Sequence, residues 1–538
     1  MRSLLIPLAL VGGALAVVGL RAQAPPTEVD LVIRGGRVVD GTGSPWFQAD
    51  VAVTGDRIVA VGRQPVRAKT TVDATGLVVA PGFIDMHAHS EFGILADPRV
   101  RSKVTQGVTT EVLGEHLSAG PVLGKAEDDP MLISAPVKRD WQTLGGFLGR
   151  VERQGVGFNV ASYVGSGQVR ACVVGYENRP PTPDEMAEMK RLVAQAMEEG
   201  AFALASGLNY IPNVFATTDE LTELAKVAGR YGGYYVTHLR GGVAGLREGI
   251  AIARAAGVPL EIHHINSTSS SRVKEFVAII DEARRQGVDV TANAYPYIAG
   301  WTYLRALLPH WAQEGGTAAM LERLRRPADR SRIVQEMRRA SAQNDQTFVS
   351  SYNPAIDGLS LSELGRRGGT SPEEAVLDLL IELKGDGFQI SFGNTEEFLA
   401  VALAQPWVSI GSDGSALDVG MKTALGKPHP RSFGTHPRVL AKYVREDHLL
   451  GLEEAVRKMT ALPAGRLGLG DRGVLRPGMK ADIVVFDAAR VRDEATFKEP
   501  ERFATGIGWV FVNGQAVVAD AKPTGALPGR VLYGPGKR

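Results

Sequence analysis

Seven ionisable residues, most of them imidazoles, fall where apolar runs of this chain stop, and together they could hold metal. His87 and His89 close the segment Gly82-Phe83-Ile84-Asp85-Met86-His87-Ala88-His89-Ser90. On an extended strand, positions i and i+2 point to one face, so the two rings project side by side and suit one cation. Glu115 follows Val108-Thr109-Thr110-Glu111-Val112-Leu113-Gly114, and His238 follows Tyr234-Tyr235-Val236-Thr237. His263-His264 follows Leu260-Glu261-Ile262, and Asp413 follows Val408-Ser409-Ile410-Gly411-Ser412. Imidazole and carboxylate are the usual zinc ligands, and a catalytic zinc keeps a position open for water. His87 and His89 would hold one ion and His238 and His264 a second, with Glu115 able to bridge through its two oxygens. The expected cofactor is therefore zinc, one or two ions, with two favoured by the bridge. If the strand before them is regular, only one of His263 and His264 points inward. Singly, each group has an ordinary structural reading: Glu115 as a cap or ion-pair partner, His238 as a loop anchor, Asp413 as an Asx-turn residue. Their coincidence at successive strand ends carries the metal reading.

Positioning such groups requires strands that end at one place. The middle of the chain alternates strand-like and helix-like segments, the pattern of a parallel α/β fold. Candidate strands end near His89, Glu115, Gly165, Ser206, His238, His264, Tyr295 and Asp413. Helical stretches separate most of them, as over 182–199, 218–231 and 271–286, and the first opens with a capping-box pattern of Thr182 and Glu185. Eight such units predict an α/β fold built on a (β/α)8 TIM-like barrel over residues 81–468, with catalytic groups at the C-terminal strand ends. Both chain ends read as short alternating strands, so residues 28–80 and 469–535 are expected to form one small β-sandwich. Residues 300–400 fit no single strand–helix unit and are expected to be an inserted subdomain or lid before the last barrel strand.

The 538 residues carry 60 basic and 59 acidic side chains, a balance that gives no argument for nucleic-acid binding. Arg325-Arg326, Arg338-Arg339 and Arg366-Arg367 lack interleaved aromatics and read as solvated helix faces. Residues 1–24 match a secretory signal peptide: Arg2, an apolar run from Leu4 to Leu20, then Ala22-Gln23-Ala24. Export to the periplasm or medium is expected, without stable membrane insertion after signal removal. An uncleaved anchor is the alternative, since Pro25 follows the best cleavage point. The single cysteine, Cys172, excludes an internal disulfide and reads as a small buried hydrophobe.

Phe83-Ile84-Asp85-Met86-His87-Ala88-His89 resembles the first metal motif of the amidohydrolase superfamily. Ser102-Lys103-Val104-Thr105-Gln106-Gly107-Val108-Thr109-Thr110, Thr237-His238-Leu239-Arg240, Ala294-Tyr295-Pro296-Tyr297, Gly411-Ser412-Asp413-Gly414 and Pro430-Arg431-Ser432-Phe433-Gly434-Thr435 resemble its D-aminoacylase branch, the N-acyl-D-amino-acid deacylases. The stretch from Val474 to Val484 is similar to the superfamily's closing strand. The resemblance implies a (β/α)8 barrel with a β-sandwich, zinc, and hydrolysis of linear amides. By position it makes His87, His89, Glu115, His238 and His264 the metal ligands, Asp413 the catalytic acid/base, and Tyr295 and Arg431 the anchors of a substrate carboxylate. Two substrate-binding positions depart from the family: Asn266 replaces a lysine, and Trp301 stands in Gly300-Trp301-Thr302 where the family has Gly-Ser-Thr.

The expected activity is metal-dependent deacylation of N-acyl-D-amino acids or of a related N-acyl amino acid or dipeptide. The substrate is a small molecule carrying an amide and a carboxylate. A cyclic-amide hydrolase or deaminase on the same scaffold is a second reading, although Ala201-Phe202-Ala203-Leu204-Ala205 lacks the bridging lysine usual in the ring-substrate branch. A third, from a different class, is an inactive exported metal- or peptide-binding protein, against which the retained Asp413 argues.

Overall fold

The computed structural model describes residues 28–63, 65–126, 137–265, 270–340, 344–422 and 426–538. The expected leader over 1–24 and Asn266 both lie outside the described residues. Among those described, no helix is long and apolar enough to cross a membrane.

The chain opens with β1 (Glu28–Val38), β2 (Phe47–Thr54), β3 (Arg57–Gly62), β4 (Arg67–Asp73) and β5 (Val78–Pro81). Pro81-Gly82 ends this run, and Phe83, Ile84 and Asp85 begin a different set of strands. These are β6 (Phe83–Asp85), β7 (Val108–Leu113), β8 (Asn159–Ser162), β9 (Val164–Gly165), β10 (Ala203–Gly207), β11 (Tyr234–His238), β12 (Leu260–Ile262) and β13 (Val290–Ala294). All but Thr291 of their residues are buried, as parallel strands covered on both faces require. Strands β6, β7 and β8 pair in parallel, in that order. The order β9-β10-β11-β12-β13 is likewise parallel, and only Tyr163 separates β8 from β9. Helices Pro183–Glu199, Thr218–Arg230 and Ser270–Arg285 fall where the apolar periodicity places them. The Thr182 hydroxyl accepts from the Glu185 N–H and the Glu185 carboxylate accepts from the Thr182 N–H, completing the capping box.

Residues 300–400 contribute β14 (Gly300–Tyr303), β15 (Thr347–Ser350) and β16 (Phe388–Ser391), an antiparallel sheet in the order β14-β16-β15. Its helices enclose a separate core that includes Leu304, Met320, Leu324, Ile333, Val376 and Leu380. The three arginine pairs of this segment are exposed. The chain then returns as β17 (Val408–Ile410), which pairs in parallel with β13. Just beyond the ends of β17 and β6, Ala88 and Gly414 form a further parallel bridge.

The last strands are β18 (Ile483–Phe486), β19 (Ile507–Val512), β20 (Gln515–Ala519) and β21 (Lys522–Pro523). Antiparallel pairing of β18 with β5 sets Ile483 opposite Pro81 and joins both chain ends in one nine-stranded sheet. Period-2 alternation directs Leu31, Ile33, Val51 and Val53 into the same core as Ile483, Val485 and Phe511. Beyond Pro523 the chain leaves the nine-stranded sheet and runs back against β8 and the segments around Val156 and Gly200. Pro528 bridges Val156, Val531 bridges Val160, and the Gly534 N–H donates to the Gly200 carbonyl. Cys172 is buried and free.

Candidate metal centre

Every strand that carries a candidate ligand delivers it to the same end. Glu115 sits two residues beyond β7, after Gly114 turns the chain at φ +90°. A Cβ on Gly114 would lie 2.5 Å from the Tyr163 carbonyl oxygen, so only glycine fits that turn. The Glu115 carboxylate is buried within a ring of imidazoles. Its Oε1 is 3.3 Å from His87 Nε2, 3.6 Å from His238 Nδ1, 3.4 Å from His263 Nδ1 and 3.5 Å from His264 Nε2. Its Oε2 faces His116 Nδ1 at 3.6 Å and His89 Nε2 at 3.9 Å.

One expectation needs correction. His263 and His264 both turn inward. Strand β12 stops at Ile262, and His264 takes a positive φ of +30° while its N–H donates to Asn293 Oδ1 at 2.8 Å, so strand alternation no longer applies. His89 stands beside His87, with ring centres 5.1 Å apart. Its Nε2 lies 3.0 Å from Asp413 Oδ1. Among the described residues, the sets whose ligand atoms lie within 4.8 Å of one another are His87-Glu115-His263, Glu115-His238-His264 and His87-His264-Asp413. The first two share Glu115, and their four imidazoles all face its Oε1.

The donor chemistry fits divalent cations. Both ring nitrogens of His87, Nδ1 of His238, Nε2 of His263 and Nδ1 of His264 are buried without a hydrogen-bond partner. Leaving buried polar atoms unpaired is costly, and a cation would satisfy the two of these nitrogens that face Glu115 Oε1, His87 Nε2 and His238 Nδ1. Burial and the neighbouring His263 push the His87 imidazole well below its usual range, which keeps it neutral as a ligand must be. Burial opposes ionisation of Glu115, but the surrounding imidazoles, His87 first, hold its carboxyl well below the carboxylate range.

Asp413 follows β17 with φ +52°, and its N–H donates to the His87 carbonyl at 2.7 Å. Burial disfavours its charge, yet the Arg431 guanidinium and the imidazoles hold it far below the ordinary value. Arg431 Nη1 lies 2.8 Å from Asp413 Oδ2, and Arg431 Nη2 donates to the Trp301 carbonyl at 3.1 Å. With 2% exposure, Arg431 is no surface ion-pair residue. Its guanidinium carbon is 5.0 Å from the Tyr295 ring centre. Trp301 stacks on Phe388 at 4.6 Å and donates from Nε1 to Ser350 Oγ at 3.3 Å. A cavity of about 230 Å³ opens over these groups, and Asp413, Arg431, Tyr295 and Trp301 all line it.

Several contributors escape a reading by strand-end chemistry. His116 stacks on Tyr210 at 4.7 Å and lines the cavity, as do Phe92, Tyr303 and Phe388. Beneath the ligands, Lys103 is fully buried between Asp85 and Glu111. Carboxylates inside otherwise apolar strands are the sequence signal for such a pair, since a buried charge needs a partner.

The model of the amidohydrolase family designated Amidohydro_3 matches residues 70–135 and 174–518 of the chain. The chain is 35% identical to a D-aminoacylase of Alcaligenes xylosoxydans xylosoxydans over 521 residues, covering 95% of this chain and 99% of that protein. It is similar to the crystal structure of N-acyl-D-glutamate deacylase from Bordetella bronchiseptica, complexed with zinc and a phosphonate mimic of the tetrahedral intermediate. The TM-score is 0.80 at 32% identity, over 94% of this chain and all of that one (100%). A D-aminoacylase structure described by its binuclear metal centre matches with TM-score 0.78 at 34% identity, covering 94% of this chain and 100% of that chain.

Proposed function

Because the chain belongs to the amidohydrolase family and, within it, to the D-aminoacylases, we propose that it is a zinc-dependent hydrolase of linear amides. Its substrates are N-acyl-D-amino acids or a closely related N-acyl amino acid or dipeptide. The observation that carries this reading is the meeting of a bridging-type carboxylate, four imidazoles and the Asp413–Arg431 pair at one cavity.

His87, His89, Glu115, His238 and His264 would hold the cations, with His263 as a further imidazole in contact with Glu115 and His89 also 3.0 Å from Asp413 Oδ1. Zinc bound there supplies Lewis acidity towards the scissile carbonyl and acidifies a water towards neutral pH. Asp413 accepts the proton of the attacking water at its carboxylate and returns it to the leaving nitrogen, acting as base and then acid. Arg431 offers a planar pair of donors to the substrate carboxylate, with the Tyr295 ring beside it. Trp301 and Phe388 form an aromatic wall that excludes water from the reacting bond.

We read the parallel strands as one closed (β/α)8 barrel, on the strength of the order β6-β7-β8, β9-β10-β11-β12-β13-β17 and the Ala88–Gly414 bridge. The common core of the two chain ends supports a β-sandwich, and the separate core of residues 300–400 supports a lid over the barrel mouth. Export rests on the signal-like pattern of the first 24 residues.

The test is a metal count with turnover on N-acetyl-D-, N-acetyl-L- and dipeptide substrates. Close to two zinc ions per chain and D-selective release of amino acid is the expected result. No hydrolysis of any member of the panel at full metal occupancy would falsify the reading. Arg431→Met removes a charge-assisted contact worth about 1.5–3 kcal/mol. The expected outcome in steady-state kinetics is a KM for N-acetyl-D-amino acids about 10- to 150-fold higher. An unchanged KM would place the carboxylate elsewhere.

A further inference from the structure

Below the ligands lies a fully buried ionic cluster that the hydrolytic reading does not use. The Lys103 ammonium donates to Asp85 Oδ2 at 3.0 Å and Ser412 Oγ at 2.7 Å, and forms an ion pair with Glu111 Oε1 at 2.8 Å. The side chains of Lys103, Asp85 and Glu111 have no exposed surface. Asp85 belongs to β6 and Glu111 to β7, whereas Ser412 lies just past β17. The cluster therefore ties the first parallel strands to the last.

What it ties down is the catalytic turn. Asp85 Oδ1 accepts from the Ser412 N–H at 2.7 Å and from the His87 N–H at 3.4 Å. Ser412 Oγ accepts from the Gly414 N–H at 3.0 Å and from Lys103. The backbone N–H groups of Ser412 and Gly414, before and after Asp413, are thus held through one carboxylate and one serine hydroxyl. Asp413 needs such restraint, because its φ of +52° lies in the left-handed region that non-glycine residues avoid.

We propose that Lys103 is a positioning residue for the reaction, its ammonium clamping Asp85 to Ser412 and so fixing the strained Asp413 turn against His87. Lys103 touches no substrate and holds no cation; it acts through Ser412. Removing the clamp lets the turn relax and carries the Asp413 carboxylate off the line of proton transfer, while the Glu115 ligand set on the neighbouring strands stays in place. A misplacement of about 1 Å is enough to cost on the order of 100-fold in rate. The inference rests on the assignment of Asp413 as acid/base in an amide hydrolase.

The experiment compares Ser412→Ala, Lys103→Met and Glu111→Gln in the zinc-loaded full chain. Ser412→Ala deletes the hydroxyl that links the clamp to the turn without unpairing a buried charge, so it tests the proposal even where Lys103→Met fails to fold. Expected for Ser412→Ala is a kcat about 10- to 100-fold lower, with KM and zinc content unchanged. Glu111→Gln perturbs the same buried cluster on the side away from Asp413 and should lower the melting temperature with little change in kcat. A crystal structure of Ser412→Ala should show the Asp413 carboxylate displaced. An Asp413 that stays in place in that structure overturns the proposal, as does a kcat that falls only in proportion to lost zinc. The crystallographic readout decides the clamp even if no amide is hydrolysed by the unsubstituted chain, a result that would instead remove the deacylase reading.

Discussion

Replacing Asp413 by asparagine lowers kcat by about 10²- to 10⁴-fold, the range that general acid–base groups contribute. The substitution preserves size and planarity but leaves no group able to take the water proton. Arg431, 2.8 Å from the carboxylate, loses an ionic partner and keeps its contact to the Trp301 carbonyl. Freed from Asp413, its guanidinium stays available to a substrate carboxylate, so KM changes far less than kcat. Steady-state kinetics beside a zinc count checks both halves. A variant with wild-type zinc and wild-type kcat would exclude Asp413 as the proton carrier.

Glu115→Gln removes the carboxylate that two of the ligand sets share. Glutamine keeps one carbonyl oxygen and presents an amide NH2 where the second oxygen was, so it cannot bridge two cations. Changes to residues that merely orient a ligand cost about 10- to 100-fold in metal affinity, and loss of a bridging ligand exceeds that. Purified Glu115→Gln is expected to carry less than half the zinc of the unsubstituted chain and to show little turnover. Its melting temperature should also respond less to added zinc, because stabilisation by a ligand scales with its affinity for the folded state. Full zinc retention in this variant would show that the imidazoles alone hold the ions.

The groups gathered around Glu115 were legible because each stands where an apolar run stops, a pattern that needs no knowledge of contacts. His87, Glu115, His238 and His264 converge for that reason. The double inward turn at His263-His264 and the contact of His89 with Asp413 were not legible. The inward turn of His263 depends on a backbone φ at His264 that alternation does not encode, and the place of His89 depends on Asp413, 324 residues away. Lys103 was hidden in the same way: its partners come from two strands and the turn after a third, and periodicity treats a lysine as a surface residue. The fold was read more fully than the site. Strand and helix positions follow from local pattern, as the Thr182–Glu185 cap shows, whereas the departure of the chain from the sheet after Pro523 depends on packing against distant segments.

The shared sheet of the chain ends has a kinetic consequence. Strand β5 receives its partner β18 only after about 400 further residues have been synthesised, since Val78 pairs with Phe486. At synthesis rates of about 5–20 residues per second, that edge stands open for about 20 seconds or more. Pairing at such sequence separation is slow, and an unpaired strand edge is a template for association with other chains. Refolding yield should therefore fall steeply with protein concentration, and an isolated β5 peptide should act as a competitor of the native closure.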